Sequence, residues 1–281
     1  MKILFTGNGK SGSWKIRGEQ IGHACNGIVR PNATLTDLKE ADIIVVVKRV
    51  TPQLLADIRK SGKPWIFDAV DFYPQPECTS WTRDNAINWV RNKIIEYRPT
   101  AIIWPNQCME YDCSLHDIKS FVLPHHYRPN IKINPIRENI KTIGYEGSRD
   151  YIGSWLYPIQ KECLDRGWHF VVNPLHLADL DIVLAVRDKS VSGYCQRHWK
   201  SNVKLANAHG SGTPFLGNIE QSYLETGTNY EQFADCKIGL KRAFDSLDNF
   251  QVRKAIQRSF LKAAISVDTV ADKLLAFANG L

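Results

Sequence analysis

The chain has no long apolar run. Its longest aliphatic stretches, Ile43–Val47 and Ile182–Val186, are five residues each, whereas crossing a bilayer takes roughly 18–20. The opening Met1-Lys2-Ile3-Leu4-Phe5 gives way at once to Gly7 and Gly9, so no signal peptide is expected. Seven cysteines lie scattered at positions 25, 78, 108, 113, 163, 195 and 236, with no C-x-x-C pair. That excludes a zinc ribbon or a disulfide framework and predicts reduced structural thiols in a cytoplasm-like compartment. H-E-x-x-H is absent, and the adjacent His125 and His126 point opposite ways in an extended segment, so no metal site is expected. A nucleophile elbow, a repeat of 20–50 residues and low-complexity tracts are missing too.

What is present is an ordinary globular composition over 281 residues, 43% hydrophobic and 23% charged, long enough for about two domains. Lys and Arg number 36 against 29 Asp and Glu, a net +7 that favours anionic partners such as nucleotides or nucleic acid.

Apolar strands alternate with helical patterns. Strands are predicted at 2–6, 42–47, 65–68, 100–104 and 120–123, then at 141–145, 169–172, 181–186 and 214–216. Helices are predicted at 14–25, 52–62 and 82–96, in a segment ending near Gly167, and at 201–212, 251–262 and from 267 into the tail. Pro124, Pro129 and Pro135 punctuate a linker. The expected architecture is α/β, with two Rossmann-like domains over residues 1–134 and 135–281 facing a central cleft.

Gly7-x-Gly9-x-x-Gly12 follows a strand and precedes a helix, as a phosphate-cradling loop does. Gly9, Gly12, Ser13, Trp14 and Arg17 are therefore candidates for holding a phosphate or an acceptor. Arg30 stands where an NAD-binding acid is expected, so an NADP-dependent oxidoreductase is one alternative. A P-loop is excluded, because its first glycine falls at Leu4.

The segment from Lys200 through Lys204 and Gly212 to Pro214, with Glu220 beyond it, resembles the donor-binding region of GT-B glycosyltransferases. Gly144-Tyr145-Glu146-Gly147-Ser148 resembles the glycine turn of that family near the donor phosphates. The resemblance implies a nucleotide-sugar donor, of UDP type, as co-substrate, with no permanently bound cofactor and no metal. It implies donor contacts from Glu146, Gly147, Ser148, Ser201 and Asn202.

The chemistry of the residues points the same way. Lys200 and Lys204 lie one helical turn apart, at i and i+4, and so are expected to share a face, and Arg187 follows a strand end. Such cations stabilise a diphosphate leaving group. Glu220 is placed to hold a ribose hydroxyl pair. Retaining members often carry two glutamates eight positions apart, where this chain has Trp199 and Asn207. The outcome at the anomeric carbon stays open, with an inverting displacement favoured.

Inversion needs a general base. Asp71, and second Asp68, lie at a strand end in a manner that resembles the base of phage DNA β-glucosyltransferases. Aromatic residues interleaved with basic ones (Trp14, Lys15, Arg17; Trp81, Arg83; His125–Arg128) suit a nucleic-acid acceptor. The leading expectation is transfer to 5-hydroxymethylpyrimidine in DNA, in the host cytoplasm if phage-encoded. Envelope-saccharide transfer and non-catalytic nucleic-acid binding are alternatives, and the oligomeric state stays open.

Overall fold

A computed structural model describes residues 1–75 and 77–281. It contains two compact units. The first joins Met1–His125, His198–Ser201 and Val267–Leu281; the second joins His126–Arg197 and Asn202–Ser266. The chain thus passes between units at four points, where the sequence suggests one passage near residue 134.

In the first unit six parallel strands form one sheet: β1 (Ile3–Gly7), β2 (Ile28–Val29), β3 (Ile43–Val47), β4 (Trp65–Asp68), β5 (Ala101–Trp104) and β6 (Lys119–Val122). Their order is β2-β1-β3-β4-β5-β6. The second unit has β7 (Thr142–Tyr145), β8 (His169–Val172), β9 (Ile182–Ala185), β10 (Phe215–Asn218) and β11 (Glu231–Phe233), ordered β11-β10-β9-β7-β8 and also parallel. Each unit therefore has its first strand between its second and third. In such doubly wound sheets ligands bind at the carboxyl ends of the two strands where the order reverses, here β1/β3 and β7/β9.

Sequence dictates this locally. Ile43-Ile44-Val45-Val46-Val47 is β-branched throughout and buried on both faces, as a central parallel strand must be. Thr51 then caps the helix Pro52–Ser61, its hydroxyl accepting from the Leu54 N–H at 3.1 Å, with Pro52 in the first turn.

Two strands escape the sequence pattern because they carry no apolar run: β2 has only two half-buried residues, and β11 is the polar edge Glu-Gln-Phe. Helices Leu35–Glu40, Gln107–Cys113 and Lys237–Asp248 are likewise additions. The helix predicted at 14–25 winds widely over Trp14–Gln20 before tightening at Ile21–Ala24. That predicted at 201–212 begins only at Val203.

The tail helix Val267–Ala278 packs in the first unit. Phe277 lies 4.2 Å from the Phe121 ring, and Lys119 donates to the Gly280 carbonyl at 2.9 Å. In the second unit, buried Arg253 donates to the Leu247 and Asp248 carbonyls at a helix end (2.6 and 2.8 Å). It also donates to the Arg137 and Glu138 carbonyls of the linker (3.0 and 2.5 Å). No helix of the described residues is long and apolar enough to cross a membrane. All seven cysteines are free thiols.

His209, buried on the helix Val203–Ser211, contacts the Thr228 hydroxyl at 3.0 Å and the Phe260 ring at 4.6 Å. Burial lowers its pKa from 6.5 to about 4. The unfolded chain therefore takes up a proton that the fold refuses, so stability is full above pH 6.5 and lost as pH falls toward 4. Between pH 7.5 and 5 this one group should cost about 2 kcal/mol. Urea unfolding at the two pH values should show that loss in the wild type, and it should shrink in His209→Gln; an identical loss in both would assign the acid sensitivity elsewhere.

Candidate functional site

In the second unit, Tyr145 ends β7 and pairs in register with Leu184 of β9. Glu146–Ser148 and Arg187 thus emerge at the same sheet edge. The helix Val203–Ser211 leads into β10, so its N-terminus faces that edge as well.

Glu146 is held from two sides, by an ion pair with Arg128 and by the Asn207 amide at 3.4 Å. The Arg128 N–H in turn donates to the Asn207 Oδ1 at 2.9 Å. Gly147 donates to the Asn173 Oδ1 at 2.7 Å and has φ +140. A Cβ there would stand 3.2 Å from the Tyr145 Oη and 3.3 Å from the Lys204 Nζ, so only glycine leaves this niche open. Lys204 lies 4.3 Å from the Tyr145 ring centre. The Tyr145 hydroxyl is buried and has no hydrogen-bond partner among the described residues. Its pKa is pushed up to about 12, mainly by burial, with Arg187 opposing and Glu220 adding to the rise. A neutral phenol and an ammonium converge there beside the glycine, a pair of donors suited to an anionic oxygen.

Arg187 and Glu220 are both buried, at 6% and 2% exposure, with Nε and Nη2 of the arginine donating to one carboxylate oxygen at 3.2 and 3.1 Å. The second oxygen, Oε2, has no partner among the described residues. Such a buried acceptor is costly unless something donates to it. Arg187 also stacks on Tyr151, 5.5 Å from its ring centre. Ser148 spends its hydroxyl on Asp150, donating to its carboxylate at 3.0 Å and capping its N–H. Asn202 directly precedes the helix Val203–Ser211.

The first unit gathers a different cluster. Gly7, Val47 and Asp68 pair in one row across β1, β3 and β4. Lys48 and the Asp71 loop therefore leave the sheet side by side. Asp71 accepts from the Ser201 N–H at 3.2 Å and meets the Lys200 Nζ at 3.5 Å. Burial alone would raise its pKa, but Lys200 and then Lys48 outweigh this, helped by the Ser201 N–H and His125, and hold it well below the usual carboxylate range. A cavity of about 350 Å³ opens beside Asp71, lined by Lys48, Arg49, Tyr73 and Trp89 among others.

Several sequence expectations change. Lys200 and Ser201 sit on the Asp71 loop within the first unit and precede the helix, so Lys200 shares no helix face with Lys204. Asn106 fixes that segment, donating to the His198 and Lys200 carbonyls at 3.1 and 3.3 Å, and Trp199 is buried and donates to Asp112 at 2.8 Å. Trp14 and Arg17 are only 2% and 1% exposed, so neither faces an acceptor. Arg17 is spent on a buried ion pair with Asp68 (3.5 Å) and on the Leu123 carbonyl (2.6 Å). Asp68 is therefore structural.

Gly9 turns at φ +77 directly against Pro31, which a Cβ would approach to 2.6 Å; Gly12 is exposed, and Ser13 makes no side-chain cap. The strand order also differs from the 3-2-1-4-5-6 of dinucleotide-binding domains. The glycine motif is thus a packing turn in a differently ordered sheet. Lys48, Arg49, Tyr73 and Trp89 escaped the sequence reading. Their one signal was a basic pair directly after the apolar run Ile43–Val47.

Two parallel doubly wound units in series define the GT-B fold, and solved structures agree. One is the Anabaena protein Alr3699/HepE in complex with UDP-glucose, with TM-score 0.67 and 11% identity over 100% of both chains. Another is the UDP-GlcNAc 2-epimerase of Neisseria meningitidis bound to UDP-GlcNAc, with TM-score 0.58 and 10% identity over 100% of both. A third is an alpha-glucosyltransferase in complex with UDP-glucose and DNA containing an abasic site. Its TM-score is 0.56 at 6% identity, covering 99% of this chain and 98% of that one. No protein-family model and no curated protein sequence matches the chain.

The buried pair gives a direct check. Asp68→Asn strands the Arg17 charge and should cost about 3 kcal/mol or more in urea unfolding, whereas Arg17→Met combined with Asp68→Leu should recover most of that loss. A wild-type midpoint for Asp68→Asn would return Asp68 to the list of candidate bases.

Proposed function

We propose that the protein is a glycosyltransferase moving a sugar from a UDP-sugar to an acceptor hydroxyl. The observation that carries this reading is the niche at Gly147, where Lys204 Nζ and the unpartnered Tyr145 hydroxyl converge at the edge where β7 and β9 end. It offers donors to a diphosphate, whose charge grows as the glycosidic bond breaks. The N-terminus of the helix Val203–Ser211 adds partial positive charge. Glu220, fixed by Arg187, keeps one carboxylate oxygen available to a ribose hydroxyl. Neighbouring folds that hold UDP-glucose or UDP-GlcNAc support the choice of nucleotide.

On the acceptor side Asp71 is the base. It takes the hydroxyl proton as the oxygen attacks the anomeric carbon, and the bond to the diphosphate breaks with inversion. The finer reading of the acceptor is 5-hydroxymethylpyrimidine in DNA, supported by the net charge of +7 and by the DNA-bound neighbour. A bacterial or phage-infected cytoplasm would supply both substrates.

Incubating the protein with UDP-sugars and DNA carrying or lacking 5-hydroxymethylpyrimidine tests this. UDP release and a glycosylated base are expected. Transfer only to saccharides would replace the acceptor, and a UDP-sugar returned epimerised without transfer would overturn the reading. Asp71→Asn keeps the side-chain shape and tolerates the left-handed backbone (φ +48). It should lower kcat by about 100-fold or more with UDP affinity unchanged. Lys204→Ala should weaken UDP about tenfold or more, the value of one charge-assisted contact.

A further inference from the structure

The cavity beside Asp71 has a chemistry that UDP binding in the second unit leaves unused. Lys48 and Asp71 both carry side chains at left-handed backbone positions, φ +65 and +48, on the loops that leave the paired ends of β3 and β4. Conformations of this kind are costly and cluster where a site demands them. Asp71 already has Lys200 at 3.5 Å and the Ser201 N–H at 3.2 Å. The side chains of Lys48 and Arg49 form no hydrogen bond and no ion pair among the described residues. The other carboxylate lining the cavity is the exposed Glu77.

The same cavity also has an aromatic lining. Trp89 is half-buried and packs 5.0 Å from the Phe72 ring and 5.9 Å from Trp81, so its indole is held by neighbours rather than loose on the surface. Tyr73, buried, lines the same space. Two cations and an immobilised indole lining one cavity match a ligand that carries both an anionic group and a flat ring.

We propose that this cavity binds one nucleotide unit, with its phosphate on Lys48 and Arg49, its base against Trp89 and Tyr73, and its ring substituent directed to Asp71. Its role as acceptor site rests on the transfer reading above; the binding site itself does not. A phosphate on Lys48 also offsets one of the charges that hold Asp71 acidic, so the carboxylate becomes a stronger base when the cavity is filled. That reconciles a base with a resting environment that disfavours protonation.

The test titrates the protein with 5-hydroxymethyl-dCMP, with the matching nucleoside, and with a single-stranded oligonucleotide carrying that base, in the presence and absence of UDP. The monophosphate should bind at least about tenfold more tightly than the nucleoside, as one charge-assisted contact requires. Arg49→Ala, at an exposed position, and Lys48→Gly, which suits the backbone, should each erase most of that preference while keeping Tm and UDP affinity. Trp89→Leu should weaken nucleotide and nucleoside alike.

Tighter binding of the oligonucleotide assigns the unit to nucleic acid, and equal binding assigns it to a free nucleotide; both support the cavity. Equal affinity for nucleotide and nucleoside, a preference that survives both cation substitutions, or displacement by UDP overturns the proposal. Failure of UDP to bind, with the Arg49-dependent preference intact, overturns the transfer reading alone.

Discussion

Gly7, Val47 and Asp68 lie in one row because β1, β3 and β4 pair in parallel and in register, and Tyr145 and Leu184 are matched in the same way across β7 and β9. Parallel pairing sends every strand's carboxyl end to one edge, so the loops that follow those strands meet there whatever their separation in sequence. Lys48 and Asp71, 23 positions apart, become neighbours by this means. So do Gly147 and Lys204. The central strands β3 and β9 are buried and apolar, so the charged groups next to them stand on the loops at their ends.

Burial then sorts the charges into two kinds. Arg17, Asp68 and Arg253 are taken out of water and spent on partners inside the fold: each other, backbone carbonyls and a helix end. Such groups hold the structure and offer little to a ligand. Lys48 and Arg49 follow β3 and Lys204 lies in the first turn of the helix before β10, and none of the three is buried. Asp71 falls between the two kinds. It is charged and partly screened by Lys200, yet it lines open space. Net charge alone cannot make this separation, because Arg17 and Arg49 count equally in a composition.

Much of the fold was legible in the sequence because continuous apolar strands and capped helices are local signals. Ile43–Val47, Trp65–Asp68 and the helix capped by Thr51 and Pro52 were readable within a residue or two. β2 and β11 were not, since a two-residue strand and a polar edge strand carry no pattern of their own. Ala271 lies on a tail helix that reads as amphipathic, but which surface it covers is a long-range fact; it packs near Cys25. The sites divide likewise. Glu146, Gly147, Lys204 and Asp71 follow local motifs and lie at sheet edges. Trp14 and Arg17 follow a local motif too, yet the wide helical turn after Gly12 faces them inward. Spacing along a chain gives the candidates, and burial decides among them.

The proposed function requires UDP to bind at the ends of β7 and β9 in the second unit, rather than on the glycine turn after β1. Amide hydrogen exchange with and without saturating UDP measures this directly, since a ligand slows the opening of the backbone it contacts. The expected result is slowed exchange over residues 145–148 and 202–206 with residues 8–18 unchanged. Slowed exchange over 8–18, with 145–148 unaffected, would contradict the account.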